Sequence, residues 1–185
     1  MLERIEPDET IVLDLCYGTP RNITGKPIYS HPACFLHPDA AAALHRAAGF
    51  AQALDLRLLI YDAFRPSEAQ WVLWHHLPDP MYIADPREGS NHSRGVAVDL
   101  TLADRQGQIL DMGTPFDDMT TASHHGSVVV SREAQANRFM LLGLMRVAGF
   151  AHYAFEWWHY ELPGAAHYPV LDDAVAGTGM MASCA

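Results

Sequence analysis

Basic residues are scarce in this chain of 185 residues: 12 Lys and Arg stand against 22 Asp and Glu, a formal net charge of -10. Nucleic acids and anionic membranes are held by clustered lysine and arginine, so neither is expected as a partner, and a small molecule or peptide suits the chain better. Long apolar runs are also missing. No segment offers the ~20 uninterrupted apolar residues of a membrane span. The opening MLERIEPDETIVLDL lacks a basic start followed by an apolar stretch, so no signal peptide is visible. The cytoplasm is the expected compartment, with the periplasm left open if a signal was removed. Cysteine is sparse too. Cys16, Cys34 and Cys184 are odd in number and have no C-x-x-C spacing, which argues against both a disulfide framework and a thiolate metal site. Three signatures of hydrolases and nucleotide enzymes, H-E-x-x-H, G-x-S-x-G and G-x-x-x-x-G-K-[ST], do not occur.

What is present is enough apolar material for one core. A hydrophobic content of 49% over this length predicts a single domain spanning residues 1–185, its last stretch, about 171–185, a flexible tail. HPDAAAALHRAAGFAQAL reads as a helix with Pro38 and Asp39 in its first turn. LRLLIYDAF reads as a buried strand, and Pro66 opens a second helix, PSEAQWVLWHHL. From Val96 the residues alternate, which predicts a half-buried strand with Asp99 on its polar face, followed by a hairpin into QILDMG. SREAQANRFMLLGLMRVAGF is the clearest helix, with Ser131 as N-cap and Gly149 at its end, and FAHYAFEWWHYEL is expected to be the last strand. Strands and helices do not alternate regularly. The expectation is therefore an α+β fold, a central antiparallel sheet flanked by helices.

Two segments carry chemistry. In SNHSRGVAVDLTL, His92 hangs at the mouth of a strand and Asp99 points from that strand, close enough for both to reach one metal ion. In EWWHYE, Glu156 and His159 are flanked by large apolar rings, and a carboxylate among tryptophans is costly unless a cation compensates it. His92, Asp99 and His159 make the N/O set of a catalytic zinc site with its fourth position open to water. Glu156 would then be the general base that becomes the general acid. On an ideal strand residues 156 and 159 point to opposite faces. Either the strand begins after Glu156 or a bulge re-aims one side chain.

Together, S-x-H-x-x-G-x-A-x-D and the later E-x-W-H make the paired signature of the zinc D,D-peptidases related to the hedgehog N-terminal domain. YGTPRNITGKP, YDAFRP, SNHSRGVAVDLTL, MGTPFDDM, SHH and EWWHYE, in this order from about 17 to about 169, closely resemble the D-alanyl-D-alanine dipeptidases of the vancomycin-resistance type. The resemblance implies one Zn2+ per chain on His92, Asp99 and His159, with Glu156 the catalytic carboxylate and Arg65 the oxyanion partner. It further implies that Tyr17 and Asp117 hold the substrate ammonium and that Ser90 lies near its carboxylate. Asp62 would orient Arg65 by a charge-assisted hydrogen bond, and His124 and His125 would be structural or support the ligands. The implied activity is hydrolysis of D-Ala-D-Ala, for recycling or depletion of cell-wall dipeptide, by an enzyme of open oligomeric state. The competing expectations are a D,D-carboxypeptidase acting on longer stem peptides and a non-catalytic zinc-stabilised binding domain. Glu156 and Arg65 speak against the second, since structural zinc needs neither a base nor an oxyanion partner.

Overall fold

The computed structural model describes residues 1–182. In chain order the strands are β1 (Glu3–Arg4), β2 (Ile11–Leu13), β3 (Phe35–Leu36), β4 (Leu56–Asp62), β5 (Ala97–Asp104), β6 (Ala151–His152) and β7 (His159–Glu161). The helices are α1 (Pro38–Gln52), α2 (Ser67–His76), α3 (Arg132–Ala148) and the short α4 (Asp173–Ala176). β1 and β3 form a small antiparallel pair. The main sheet has the order β2-β4-β5-β7-β6, with β2 parallel to β4 and every other pair antiparallel. The fold is α+β, as expected, with a mixed sheet in place of a wholly antiparallel one. None of the described helices is long and apolar enough to cross a membrane.

The helices begin and end where their sequence dictates. In α1 Pro38 takes the first position, and the His37 ring accepts the Asp39 N–H at 3.2 Å. Its buried face is mostly alanine, which lets the helix lie close on β4. In α3 the Ser131 hydroxyl accepts the Ala134 N–H at 3.0 Å, and Gly149 ends the helix at φ 110°, a left-handed conformation that favours glycine. α1 and α3 pack on each other, and α3 lies against β5 and β6.

Beside the mixed sheet, the structure corrects three further expectations. β5 is buried on both faces along residues 97–103, with Thr101 as inaccessible as Leu100. Asp99 therefore does not look out at solvent: it is buried and lines a cavity together with Trp158. The hairpin turn into QILDMG is present: Ala103 bridges Ile109 antiparallel, the Asp104 N–H donates to the Gln108 carbonyl and the Leu110 N–H to the Leu102 carbonyl, both at 2.9 Å. FAHYAFEWWHYEL is not one strand but two short ones, β6 and β7, separated by a turn, so the strand begins after Glu156. The third concerns the tail. Residues 171–182 pack instead of fraying: Met180 is fully buried, its carbonyl accepts from the Ser30 and His31 N–H groups, and Asp173 caps the turn that follows α4. Residues 183–185, including Cys184, lie outside the described residues.

The register of the sheet decides what the site receives. β4 and β5 pair regularly up to Ile60 opposite Leu100, and then a bulge shifts the register so that Asp62 faces Asp99. On the other side of β5, Asp99 pairs with His159. One rung across three strands thus reads Asp62, Asp99, His159. Without the extra residue, Asp62 would face Val98 and turn to the opposite side of the sheet.

The long connection between β5 and α3 is held from beneath by Arg138, which is fully buried. Its guanidinium donates to the carbonyls of Met112 (2.7 Å), Ala122 (2.9 Å) and His124 (3.3 Å) and lies over the Trp157 ring. Truncation would leave the Met112 and Ala122 carbonyls without donors, at ~1–3 kcal/mol for each buried group, while the His124 carbonyl still accepts the Ser127 N–H at 3.1 Å. Arg138→Leu is expected to lower the unfolding free energy by about 2–4 kcal/mol in urea titrations. A change within about 0.5 kcal/mol would show that the loop does not depend on this residue.

Candidate metal and active site

A cavity of about 270 Å³ opens at the end of β5 and gathers all eight residues expected from the sequence: Tyr17, Arg65, Ser90, His92, Asp99, Asp117, Glu156 and His159. They come from six separate segments. His92 sits in a single helical turn (His92–Arg94) that Gly95 closes at φ 70°. A side chain on Gly95 would meet the His37 backbone nitrogen at 3.2 Å, so close approach as well as the left-handed φ requires glycine there. The Ser90 hydroxyl accepts the His92 N–H at 3.2 Å and so helps to shape the turn that delivers the ring.

Three donor atoms converge. His92 Nε2 lies 3.1 Å from His159 Nδ1 and 3.3 Å from Asp99 Oδ1, and His159 Nδ1 lies 3.1 Å from the same oxygen. The far side of each ring is already committed. His92 Nδ1 faces the Ala63 carbonyl at 2.7 Å, and a carbonyl only accepts, so Nδ1 carries the hydrogen and Nε2 is bare. His159 Nε2 donates to Glu161 Oε2 at 3.0 Å, which leaves Nδ1 bare in the neutral ring. Two lone pairs and a carboxylate oxygen facing one another repel unless a positive charge lies between them. The electrostatics say the same: burial alone would lower the His159 pKa, yet its bonds to Asp99 and Glu161 raise it to about 10. Asp99 shows the complement, since burial would raise its pKa and the neighbouring His92 and His159 hold it well below the usual range. The set fits a divalent cation that accepts N/O ligands, and these three residues would hold it.

Arg65 follows β4 directly and is nearly inaccessible. Its Nε donates to Asp62 Oδ2 at 2.9 Å, Nη1 to Gln70 Oε1 at 3.0 Å and Nη2 to Asp99 Oδ2 at 3.3 Å. Asp62 in turn accepts from the Tyr29 hydroxyl at 2.7 Å. The guanidinium also stacks over the Tyr17 ring, 4.8 Å from its centroid. Three of the five N–H groups are thus engaged, and one on each terminal nitrogen remains for the cavity.

The Glu156 carboxylate has no hydrogen-bond partner among the described residues; the nearest cationic candidate is His159 Nδ1, 4.0 Å from Oε2. Burial raises its pKa to about 8. Asp117 occupies the opposite wall with its backbone in the left-handed region at φ 62°. Its Oδ1 accepts from the Tyr17 hydroxyl at 3.0 Å and its Oδ2 from the Ile23 N–H at 3.2 Å, while burial and then the nearby Asp99 raise its pKa to about 7. His124 stays outside the ligand set, with Nε2 3.2 Å from the Tyr82 hydroxyl, and His125 packs edge-on against His152.

The comparisons with known proteins agree with this geometry. Residues 1–176 match the model of peptidase family M15, described as D-ala-D-ala dipeptidase. The chain belongs to that family. Its members are metallopeptidases, and the described residues include one His/Asp/His set that could hold such a metal. Among its relatives, the D-alanyl-D-alanine dipeptidase of Escherichia coli K12 is 50% identical over 169 residues, 91% of this chain and 86% of that protein. The D-alanyl-D-alanine dipeptidase of Streptomyces coelicolor is 36% identical over 178 residues, 83% of this chain and 87% of that one. A crystal structure of the Serratia marcescens L-Ala D-Glu endopeptidase aligns with a TM-score of 0.46 at 12% identity, over 71% of this chain and 84% of that one.

Sequence reasoning missed Glu161, Asn91 and Gln70. Asn91 Nδ2 donates to Glu161 Oε2 at 2.8 Å, which steadies the carboxylate that fixes the His159 ring. The signal available was proximity: Asn91 and Glu161 each neighbour a ligand, in N-H and H-Y-E. Partners of this kind typically contribute 10–100-fold in metal affinity. Glu161→Gln, which replaces the carboxylate by an amide, is expected to bind Zn2+ about 10–100-fold more weakly in competition with a chromophoric chelator. An unchanged affinity would remove Glu161 from the centre.

Proposed function

We propose that this chain hydrolyses the dipeptide D-Ala-D-Ala to two D-alanines, using one zinc ion held by His92, Asp99 and His159. The observation that carries this reading is the Glu156 carboxylate, buried and without a hydrogen bond among the described residues, beside a three-donor metal set in a cavity of about 270 Å³. Ligand pockets ordinarily measure ~300–1,000 Å³, and this one lies just below that range. Bound there, zinc would supply a Lewis acid that polarises the scissile carbonyl and acidifies a water molecule.

The chain's own residues would supply the rest. Glu156 takes the proton of the attacking water as the new C–O bond forms, then gives a proton to the departing nitrogen as the C–N bond breaks. Its raised pKa suits a group that must carry a proton between the two steps. The two free N–H groups of Arg65 meet the developing oxyanion. Asp62 and Gln70 hold the guanidinium fixed, so little reorganisation is needed when charge appears. Asp117, with the Tyr17 hydroxyl beside it, pairs with the substrate ammonium, whose charge would hold the aspartate ionised. Ser90, whose oxygen already accepts the His92 N–H, keeps its own hydrogen for the substrate carboxylate. The free thiols Cys16 and Cys34 are buried, which accords with a reducing cytoplasm as the site of action.

Glu156→Gln is expected to keep its zinc by metal analysis while kcat on D-Ala-D-Ala falls about 10²–10⁴-fold. Loss of zinc along with activity would make Glu156 a ligand. Asp117→Asn preserves a residue that tolerates left-handed backbone and removes only the charge. Leaving a buried ammonium without its partner typically costs ~3–5 kcal/mol, or about a hundred- to several-thousand-fold in kcat/KM. The variant should lose activity on the free dipeptide by that order and narrow the gap between free and N-acetylated substrate. Equal kcat/KM for the free and acetylated dipeptides in the wild type would favour a carboxypeptidase acting on longer chains.

A further inference from the structure

The reading above leaves open what keeps longer peptides out, and the cavity has one wall not yet assigned a role. Between the end of α2 and the turn carrying His92, residues 77–91 (LPDPMYIADPREGSN) form neither helix nor strand. Connections longer than ~12–15 residues without secondary structure are uncommon in compact domains, and lids over sites are among their usual uses. Pro80, Met81, Tyr82, Ile83 and Ala84 of this stretch line the cavity. Ile83 is buried and Leu77 and Tyr82 pack against the same cluster, but Pro80, Met81 and Ala84 are exposed.

Its middle, residues 80–84, is tied to the rest of the site by three side-chain hydrogen bonds, each from a different wall. Gln70 Nε2 donates to the Ala84 carbonyl at 2.8 Å, and the same side chain accepts from Arg65. The Tyr82 hydroxyl meets His124 Nε2 at 3.2 Å, in the loop that also carries Asp117. The Tyr153 hydroxyl donates to the Met81 carbonyl at 2.7 Å. Tyr153 precedes Glu156 by one turn, and its ring stands edge-on to His159 and to Phe155. The stretch is therefore a strap from the arginine wall to the wall bearing Glu156 and His159. On the dipeptidase reading the amine end of the cavity lies toward Asp117, on the loop that Tyr82 ties to this strap through His124.

We propose that residues 77–91 are the element that limits the substrate to a dipeptide, and that Tyr153 is the specificity-determining residue that latches this strap shut through Met81. This rests on the dipeptidase reading. A residue added to the amine of D-Ala-D-Ala has to pass under the strap, so its binding requires the strap to lift. A free dipeptide fits with the strap closed. Tyr153→Phe removes one oxygen and keeps the ring against Phe155, so only the latch is lost.

The test compares wild type and Tyr153→Phe, both loaded with zinc, on D-Ala-D-Ala and on D-Ala-D-Ala-D-Ala. In parallel, hydrogen exchange of residues 80–85 is followed by mass spectrometry. One hydrogen bond contributes ~1 kcal/mol, so the ratio of kcat/KM for tripeptide over dipeptide should rise about fivefold. Exchange in 80–85 should quicken by a similar factor. Using the ratio cancels any change common to both substrates at the metal. Faster exchange with an unchanged ratio would show that the strap opens without selecting, and unchanged exchange would show that Tyr153 does not hold it; either result overturns the proposal. A wild type that cleaves the tripeptide but not the dipeptide overturns the dipeptidase reading and the selectivity claim with it, whatever the exchange shows.

Discussion

Four carboxylates, Asp99, Asp117, Glu156 and Glu161, line a cavity in which Arg65 is the one lining residue with a permanent positive charge. Asp62, directly behind Arg65, adds a fifth. Burying that much negative charge is unfavourable by many kcal/mol unless it is compensated, and the arrangement can be understood as the compensation. Arg65 spans Asp62 and Asp99, a divalent cation would neutralise Asp99 from its other oxygen, and a substrate ammonium would neutralise Asp117. Glu161 accepts from His159 and Asn91, and Glu156 is left over. Burial raises its pKa, and that surplus makes it suited to proton transfer.

The bulge in β4 makes this balance possible. It brings Asp62 and Asp99 onto one rung, where a single guanidinium can serve both. The same rung carries His159, so the positions proposed for the metal and for the oxyanion share one stretch of hydrogen-bonded sheet. Loops alone would give less precise placement, because their backbone bonds are fewer and more exposed. The groups expected to contact substrate and not the metal, Tyr17, Ser90 and Asp117, do come from loops, but each is fixed by a bond of its own.

Much of this was legible in the sequence, and what was legible shares one property. The helices α1, α2 and α3 announce themselves through local signals, Pro38, Pro66, Ser131 and Gly149, which act within one turn of chain. His92, Asp99, Glu156 and His159 lie in two short segments whose residue types are costly to bury without a purpose. The burial of both faces of β5 was not legible, because alternation of Asp99 and Thr101 with valine and leucine reads as a solvent boundary when no roof is known. Nor could the sequence reveal the bulge, which is a relation between two strands, or the bonds of Gln70 to Ala84 and of Asn91 to Glu161, which join residues brought together only by the fold. The packed segment 171–182 escaped for a similar reason: its small, polar residues say little until Ser93, Ser67 and Ser30 are seen to bond to its backbone.

The backbone of Asp117 restricts how this site could be altered. At φ 62° glycine, asparagine and aspartate are the residues that fit with little strain. Glycine and asparagine carry no charge, and glutamate, which does, is a poor fit for that conformation and reaches one methylene further. Only aspartate meets both demands at once. On the role proposed for Asp117, a lineage drifting toward substrates without a free amine could therefore discard the charge in a single step and keep its loop intact, whereas a return to amine recognition would have to find this one residue again.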